Sequence, residues 1–183
     1  MDIKQYVYES RTILKYIDFD TIHKIVGVLL EAIDCGSRIY VMGNGGSATT
    51  ASHLAGDLNK TIGLKAMALT DSNYLITAVA NDYSYDTVFK RQLETLAQGR
   101  DVVIAISGSG QSLNVMYGLS YAKTIGCVTI GLTGHAVNSG GGQVLELADL
   151  SIVIPSLIYE QIEDIHLMIG HLIVMELKNR KST

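Results

Sequence analysis

Cysteine is nearly missing from this chain of 183 residues, which holds only Cys35 and Cys127, far apart and in no CxxC spacing. A disulfide framework or a cysteine-built metal site needs more, so both are read as reduced thiols of a cytoplasmic protein. Charge is sparse as well, at 17% of residues against 48% hydrophobic, a balance that excludes a disordered chain. There is no positive excess either. The net charge is −4, whereas a protein that coats nucleic acid shows a basic face. No apolar run approaches the roughly 18 residues of a membrane span, and the opening stretch MDIKQYVYESRTILKY breaks its apolar positions with charges, unlike a signal peptide. Pro155 is the single proline, and no linker, low-complexity tract or repeat marks a boundary, so residues 1–183 are read as one domain. A mean hydropathy of +0.25 is high for a soluble monomer and points to apolar surface covered by other subunits.

What the chain does have is alternation. Five short apolar runs occupy residues 38–42 (RIYVM), 65–69 (KAMAL), 101–106 (DVVIAI), 128–132 (VTIGL) and 150–154 (LSIVI). Most are β-branched and nearly continuous, as strands buried on both faces of a parallel sheet are. Helical spacing fills residues 47–60, about 73–97, 112–125 and 143–147. The pattern predicts an α/β fold with a doubly wound five-stranded parallel sheet. Outside the alternation, residues 2–35 read as an N-terminal helical hairpin, with Asp18 or Asp20 capping its second arm, and residues 158–179 as a long C-terminal helix.

Open parallel sheets bind ligands beyond the carboxyl ends of their strands, and the polar, glycine-rich turns of this chain fall there. Residues 43–47 (GNGGS) follow the first strand, 70–73 (TDSN) the second, 107–112 (SGSGQS) the third and 133–134 (TG) the fourth. Gly43, Gly45 and Ala48 also match a loose dinucleotide fingerprint. The acidic residue that fingerprint requires is Asp71 at best, which comes late, and Asn44 and Ser47 place polar side chains where a pyrophosphate would lie. Residues 107–112 suit a terminal phosphate better. Ser107, Ser109 and Ser112 interleave hydroxyls with glycines at a helix N-terminus, where free N–H groups and the helix dipole attract an anion. The competing reading is a serine-rich turn that only caps the helix.

His53 and Asp57 lie four residues apart on a predicted helix and so leave the same face, a spacing that suits chelation. The C-terminal helix carries Glu163, His166 and His171. Glu163 and His171 are two turns apart, about 12 Å along the axis, and Gly170 between them admits a close approach. Spacing alone leaves open a capped or salt-bridged surface pair instead of a metal site. Position links the pair to the first turn, since their helix begins there. Asn81 and Asp82 end a short apolar helix, and Tyr6, Tyr8, Tyr16 and Tyr159 are assigned to subunit contacts or the core.

These motifs form an ordered set: GNGGS opening a helix with HxxxD, then ANDYSY, ISGSGQS and VTIGLTG, then a helix containing IEDIHLMIGH. From about residue 2 to 178 the set resembles the sugar isomerase (SIS) domain of the phosphoheptose isomerase family. The resemblance implies a flavodoxin-like sheet and a homotetramer with active sites between subunits. It also implies conversion of sedoheptulose 7-phosphate to D-glycero-D-manno-heptose 7-phosphate, toward nucleotide-activated heptose for lipopolysaccharide or capsule. By the same resemblance Asn44, Gly45, Gly46, Ser47, Asn81 and Asp82 contact the sugar phosphate, while Ser107, Gly108, Ser109 and Ser112 cradle its phosphate group. His53, Asp57, Glu163 and His171 fall where the family binds zinc (Zn2+), with Asp57 also in the place of the catalytic base and His171 of the acid.

Four positions depart from the family pattern: Asp57 replaces a glutamate, Glu163 a glutamine, Glu160 an aspartate and Gly108 a threonine. A base one methylene shorter sits about 1.3 Å further back, and misplacement of about 1 Å can cost around a hundredfold. Some proteins resembling this family lack the metal residues and serve as tetrameric scaffolds that bind a replication initiator. Metal-capable residues at all four positions favour the enzyme here, for this phosphoheptose or another phosphoketose.

Overall fold

A computed structural model of the protein describes residues 1–181. The apolar runs become β1 (Arg38–Gly43), β2 (Lys65–Ala68), β3 (Val102–Ser107), β4 (Val128–Gly134) and β5 (Leu150–Ile154), all parallel, in the order β2-β1-β3-β4-β5. β3 is buried along its whole length and β1 everywhere beyond Arg38, which explains their unbroken hydrophobicity. Within β1 the residues alternate by face. Ile39 and Val41 join one core with Leu29, Leu54 and Ile169, while Tyr40 and Met42 join a second with Phe89, Leu93 and Leu119.

The helices are α1 (Ile3–Ile13), α2 (Phe19–Cys35), α3 (Gly46–Asp57), α4 (Asn73–Asp82), α5 (Val88–Leu96), α6 (Leu113–Thr124), α7 (Gly142–Leu147) and α8 (Tyr159–Lys181). Asp18 is the cap of α2, accepting from the Thr21 N–H at 2.9 Å. The segment 73–97 divides into two helices. Tyr83 leaves the helical region at φ −128° and ψ −86°, and the Ser84 hydroxyl then accepts from the Asp86 N–H to start a new turn. Among the described residues, no helix is long and apolar enough to cross a membrane.

Strand order 2-1-3-4-5 reverses direction between β1 and β3, the point where such sheets open a crevice. There Gly43 pairs with Ile106, and Ser107 pairs with Thr133 on the far side of β3. The turns after β1 and β3 therefore leave the sheet side by side. α8 runs beside α3 in the same direction: Glu163 meets Gly46, Gly170 packs on Leu54, and His171 meets His53. α2 and α3 also pack against α8, but α1 reaches it mainly through its start, where the Tyr6 hydroxyl donates to Asp164 at 2.6 Å.

Candidate active site

The turn after β1 is built for glycine. A side chain at Gly43 would overlap the Ser47 backbone, and Gly45 sits at φ +56°, ψ −125°, a conformation side chains rarely tolerate. Among the described residues, no side chain caps α3 at this end. Ser47 is largely buried in the first turn of α3. Asn44 is fixed by a reciprocal pair of amide bonds: it donates to Asn114 at 2.8 Å and accepts from it at 2.9 Å. The Tyr85 hydroxyl donates to the same Asn44 oxygen at 2.9 Å. Asn114 is buried in the first turn of α6, so this pair ties the turns after β1 and β3 together.

The turn after β3 keeps its hydroxyls close. Ser107 Oγ accepts from the Gly110 N–H at 3.1 Å and lies 3.3 Å from Ser112 Oγ, while Ser109 Oγ accepts from the Gln111 N–H at 3.3 Å. Ser112 occupies the cap position of α6, yet its side chain makes no capping bond, so capping does not explain this serine. Gly110, at φ +64°, lies so close to the Gly141 carbonyl that no side chain fits, and the Thr133 hydroxyl donates to that same carbonyl at 3.0 Å. Over Gly108 lies the ring of Tyr159, whose carbons come within 3.0 Å of where a Cβ would stand. Tyr159 thus belongs beside this turn, not solely to the core or to a subunit contact.

Further along α3 the chelating pair is completed from α8. His53 Nε2 lies 3.1 Å from His171 Nε2 and 3.3 Å from Asp57 Oδ2. The three ligand atoms lie within 4.8 Å of one another. Two imidazole nitrogens and a carboxylate oxygen converge here, a donor set that fits a divalent cation. The remaining Asp57 oxygen is 4.0 Å from the exposed Lys60 ammonium.

Glu163 is not in this cluster. Because α8 runs parallel to α3, the two turns between Glu163 and His171 persist in space, and the Glu163 carboxylate lies against Gly46. Among the described residues it makes no hydrogen bond. Burial, reinforced by Glu160 and Asp164, pushes its carboxyl above the usual range. His166 also stands apart. Fully buried, it donates from Nε2 to the Thr133 carbonyl at 3.0 Å, and Nδ1 has no partner among the described residues. Burial pushes it down to about 4, so it stays neutral in the core.

Asn81 and Asp82 are exposed at the end of α4, where the Asn81 amide donates to Asp82 at 2.9 Å. Their link to the glycine turn runs through Tyr85, three residues on, whose hydroxyl reaches Asn44. Asp71, the weak dinucleotide candidate, accepts from the Ser52 hydroxyl of α3. Sequence reasoning missed Asn114, Tyr85 and Tyr159 as members of the site. Only Tyr85 stood inside a recognised motif, and nothing in the pattern distinguished a buried asparagine near a helix start.

A model of the SIS domain matches residues 5–134. The chain belongs to the SIS domain family. Related SIS proteins extend the match through α8. A phosphoheptose isomerase of Aliarcobacter butzleri is 38% identical over 98% of this chain and 97% of its own. A probable phosphoheptose isomerase of Thermoplasma acidophilum is 40% identical over 94% and 96%. Among solved SIS structures, a phosphoheptose isomerase of Neisseria gonorrhoeae superposes with a TM-score of 0.85 at 28% identity, over 96% of this chain and 92% of its own. The SIS fold therefore accounts for the crevice between β1 and β3, and the full-length relatives include the helix that supplies His171.

Proposed function

We propose that this SIS-domain protein is a phosphosugar isomerase that converts sedoheptulose 7-phosphate to D-glycero-D-manno-heptose 7-phosphate. The observation that carries the reading is α3 itself: its start forms the glycine turn and its later turns carry His53 and Asp57, met by His171. One helix joins an anion-attracting end to a cluster of proton-transfer and ligand groups. The serine turn receives the phosphate through the hydroxyls of Ser107, Ser109 and Ser112 and the N–H groups around Gly108. Asn44, Gly45, Gly46 and Ser47 bind the sugar chain, with Glu163, Asn81 and Asp82 accepting from its hydroxyls.

Aldose–ketose isomerisation moves a proton between C1 and C2 through an enediol. Asp57 and His171 each give one atom to the cluster and keep a second outside it, Asp57 Oδ1 beside Lys60 and His171 Nδ1, which makes no hydrogen bond among the described residues. Asp57 removes a proton from C1 of the ketose while His171 protonates the carbonyl oxygen at C2. The proton then returns to C2, and the hydroxyl at C1 loses its own to become the aldehyde. A zinc ion held by His53, Asp57 and His171 would supply Lewis-acid polarisation of the substrate oxygens. Glu163, away from that cluster, acts on the substrate.

The exposed apolar side of α1 supports a homotetramer, and a cytoplasmic role in lipopolysaccharide or capsule precursor synthesis follows from the heptose product. The deciding experiment is turnover of sedoheptulose 7-phosphate by the protein as purified, after chelation, and after zinc is restored. Activity is expected to vanish on chelation and return with zinc. A folded protein inactive in all three states would overturn the reading.

A further inference from the structure

α8 crosses the crevice so that one of its faces covers both turns. Tyr159 lies over Gly108 of the serine turn, and Glu163, one helical turn later, lies over Gly46 of the glycine turn. Each contact exists because the residue beneath has no side chain. At Gly108 the fit is tight: Cδ1 and Cε1 of Tyr159 stand 3.0 and 3.1 Å from the position a Cβ would take, and Ile162 lies 3.8 Å from it. The contact runs along the Cδ1–Cε1 side of the ring, and the phenol oxygen is carried on the carbon next to Cε1, at the end of that side.

That hydroxyl is unspent. Among the described residues Tyr159 Oη makes no hydrogen bond, and the residue is 45% exposed. By contrast Tyr6 and Tyr85, on neighbouring elements, both use their hydroxyls, on Asp164 and Asn44. The phenol thus remains an available donor on a ring that touches the serine turn. The ring is fixed by its contact with the turn, so a bond from the hydroxyl costs little additional ordering.

We infer that Tyr159 is a further substrate-binding residue, whose phenol donates a hydrogen bond to a phosphate seated on the serine turn. The inference rests on the proposed phosphosugar site and adds a donor from a second element. Anchoring the phosphate from both α6 and α8 couples its binding to the helix that carries His171. A neutral phenol donating to a phosphate oxygen forms a charge-assisted bond, stronger than one between neutral groups.

The test uses Tyr159→Phe, which keeps the ring over Gly108 and removes only the oxygen. Inorganic phosphate is titrated against the full-length protein by calorimetry, and turnover of sedoheptulose 7-phosphate is measured beside it. Phosphate affinity is expected to fall about tenfold, with KM rising by a similar factor and kcat changing less than about twofold, the loss of one charge-assisted hydrogen bond. Gly108→Ala, which forces the ring aside, is expected to weaken phosphate by a like amount, and the double variant to add nothing further. Unchanged phosphate affinity and KM in Tyr159→Phe would overturn the inference and leave the ring as packing alone. If the wild-type protein binds phosphate but does not turn over the heptose, the isomerase reading fails while the calorimetric comparison still decides the role of Tyr159.

Discussion

Asp57 serves two neighbours at once: Oδ2 faces His53 at 3.3 Å, and Oδ1 points toward Lys60 at 4.0 Å. Replacing it with asparagine keeps the shape but removes the charge and the basic oxygen. Asp57→Asn is expected to lower kcat by about 10²–10⁴, the usual worth of a positioned base. Phosphate affinity, set at the serine turn, is expected to stay within about twofold by calorimetry. His166 has a different duty. In the unfolded chain it takes up a proton near its ordinary value of 6.5, whereas in the fold burial holds it down to about 4. Between these values the unfolded state binds more protons than the native state, so stability falls as pH falls through that window. Thermal unfolding from pH 7 to 4 is expected to show this slope, and His166→Gln, which retains a donor for the Thr133 carbonyl, is expected to flatten it. Both histidines of α8 were visible in the sequence. Five residues at about 100° each place them on different faces, so only one could serve an exposed site, and burial selects His171.

The two helices that build the crevice also explain what could be read in advance. β1, β3, β4 and β5 were legible because buried parallel strands leave long β-branched runs, and the turns were legible because their glycines follow those runs directly. The division of residues 73–97 was hidden, since Tyr83 and Ser84 interrupt a pattern that still looks helical. The register of α8 against α3 was hidden for a deeper reason: it is set by contacts such as Gly170 on Leu54, which no local pattern encodes. Hence His53, Asp57 and His171 met as expected while Glu163 did not join them. The same register separates two glycine substitutions. At Gly46 the atoms nearest an added methyl are those of the flexible Glu163 carboxylate, so Gly46→Ala is expected to fold with a loss under about 1 kcal/mol yet raise KM. At Gly110 a methyl meets the Gly141 backbone with φ at +64°. Gly110→Ala is therefore expected to cost about 1–3 kcal/mol in denaturant unfolding and to weaken phosphate binding as well.

At the level of the whole molecule, α1 is the element least accounted for by one chain. Its Asp2 cap and helical spacing are sound, yet Val7 and Tyr8 are 62% and 71% exposed, and Ile3 more so. Between α1 and the start of α8 lies a cavity of about 560 Å³, walled by Tyr8, Ile13, Tyr16 and Leu157. An apolar helix flank beside an apolar hollow is surface that a soluble protein covers. It also lies on the segment that leads into Tyr159 and Glu163, so an assembled neighbour would brace the end of α8 that covers the substrate turns. Sedimentation of the wild-type protein is expected to give a species of four 19.8 kDa chains. Tyr8→Glu combined with Val7→Lys places two charges on that flank without touching the crevice. The double variant is expected to sediment as a smaller species with its helical content intact and KM raised through the loosened start of α8. Retention of the wild-type assembly by that variant would show that α1 is not the covered face.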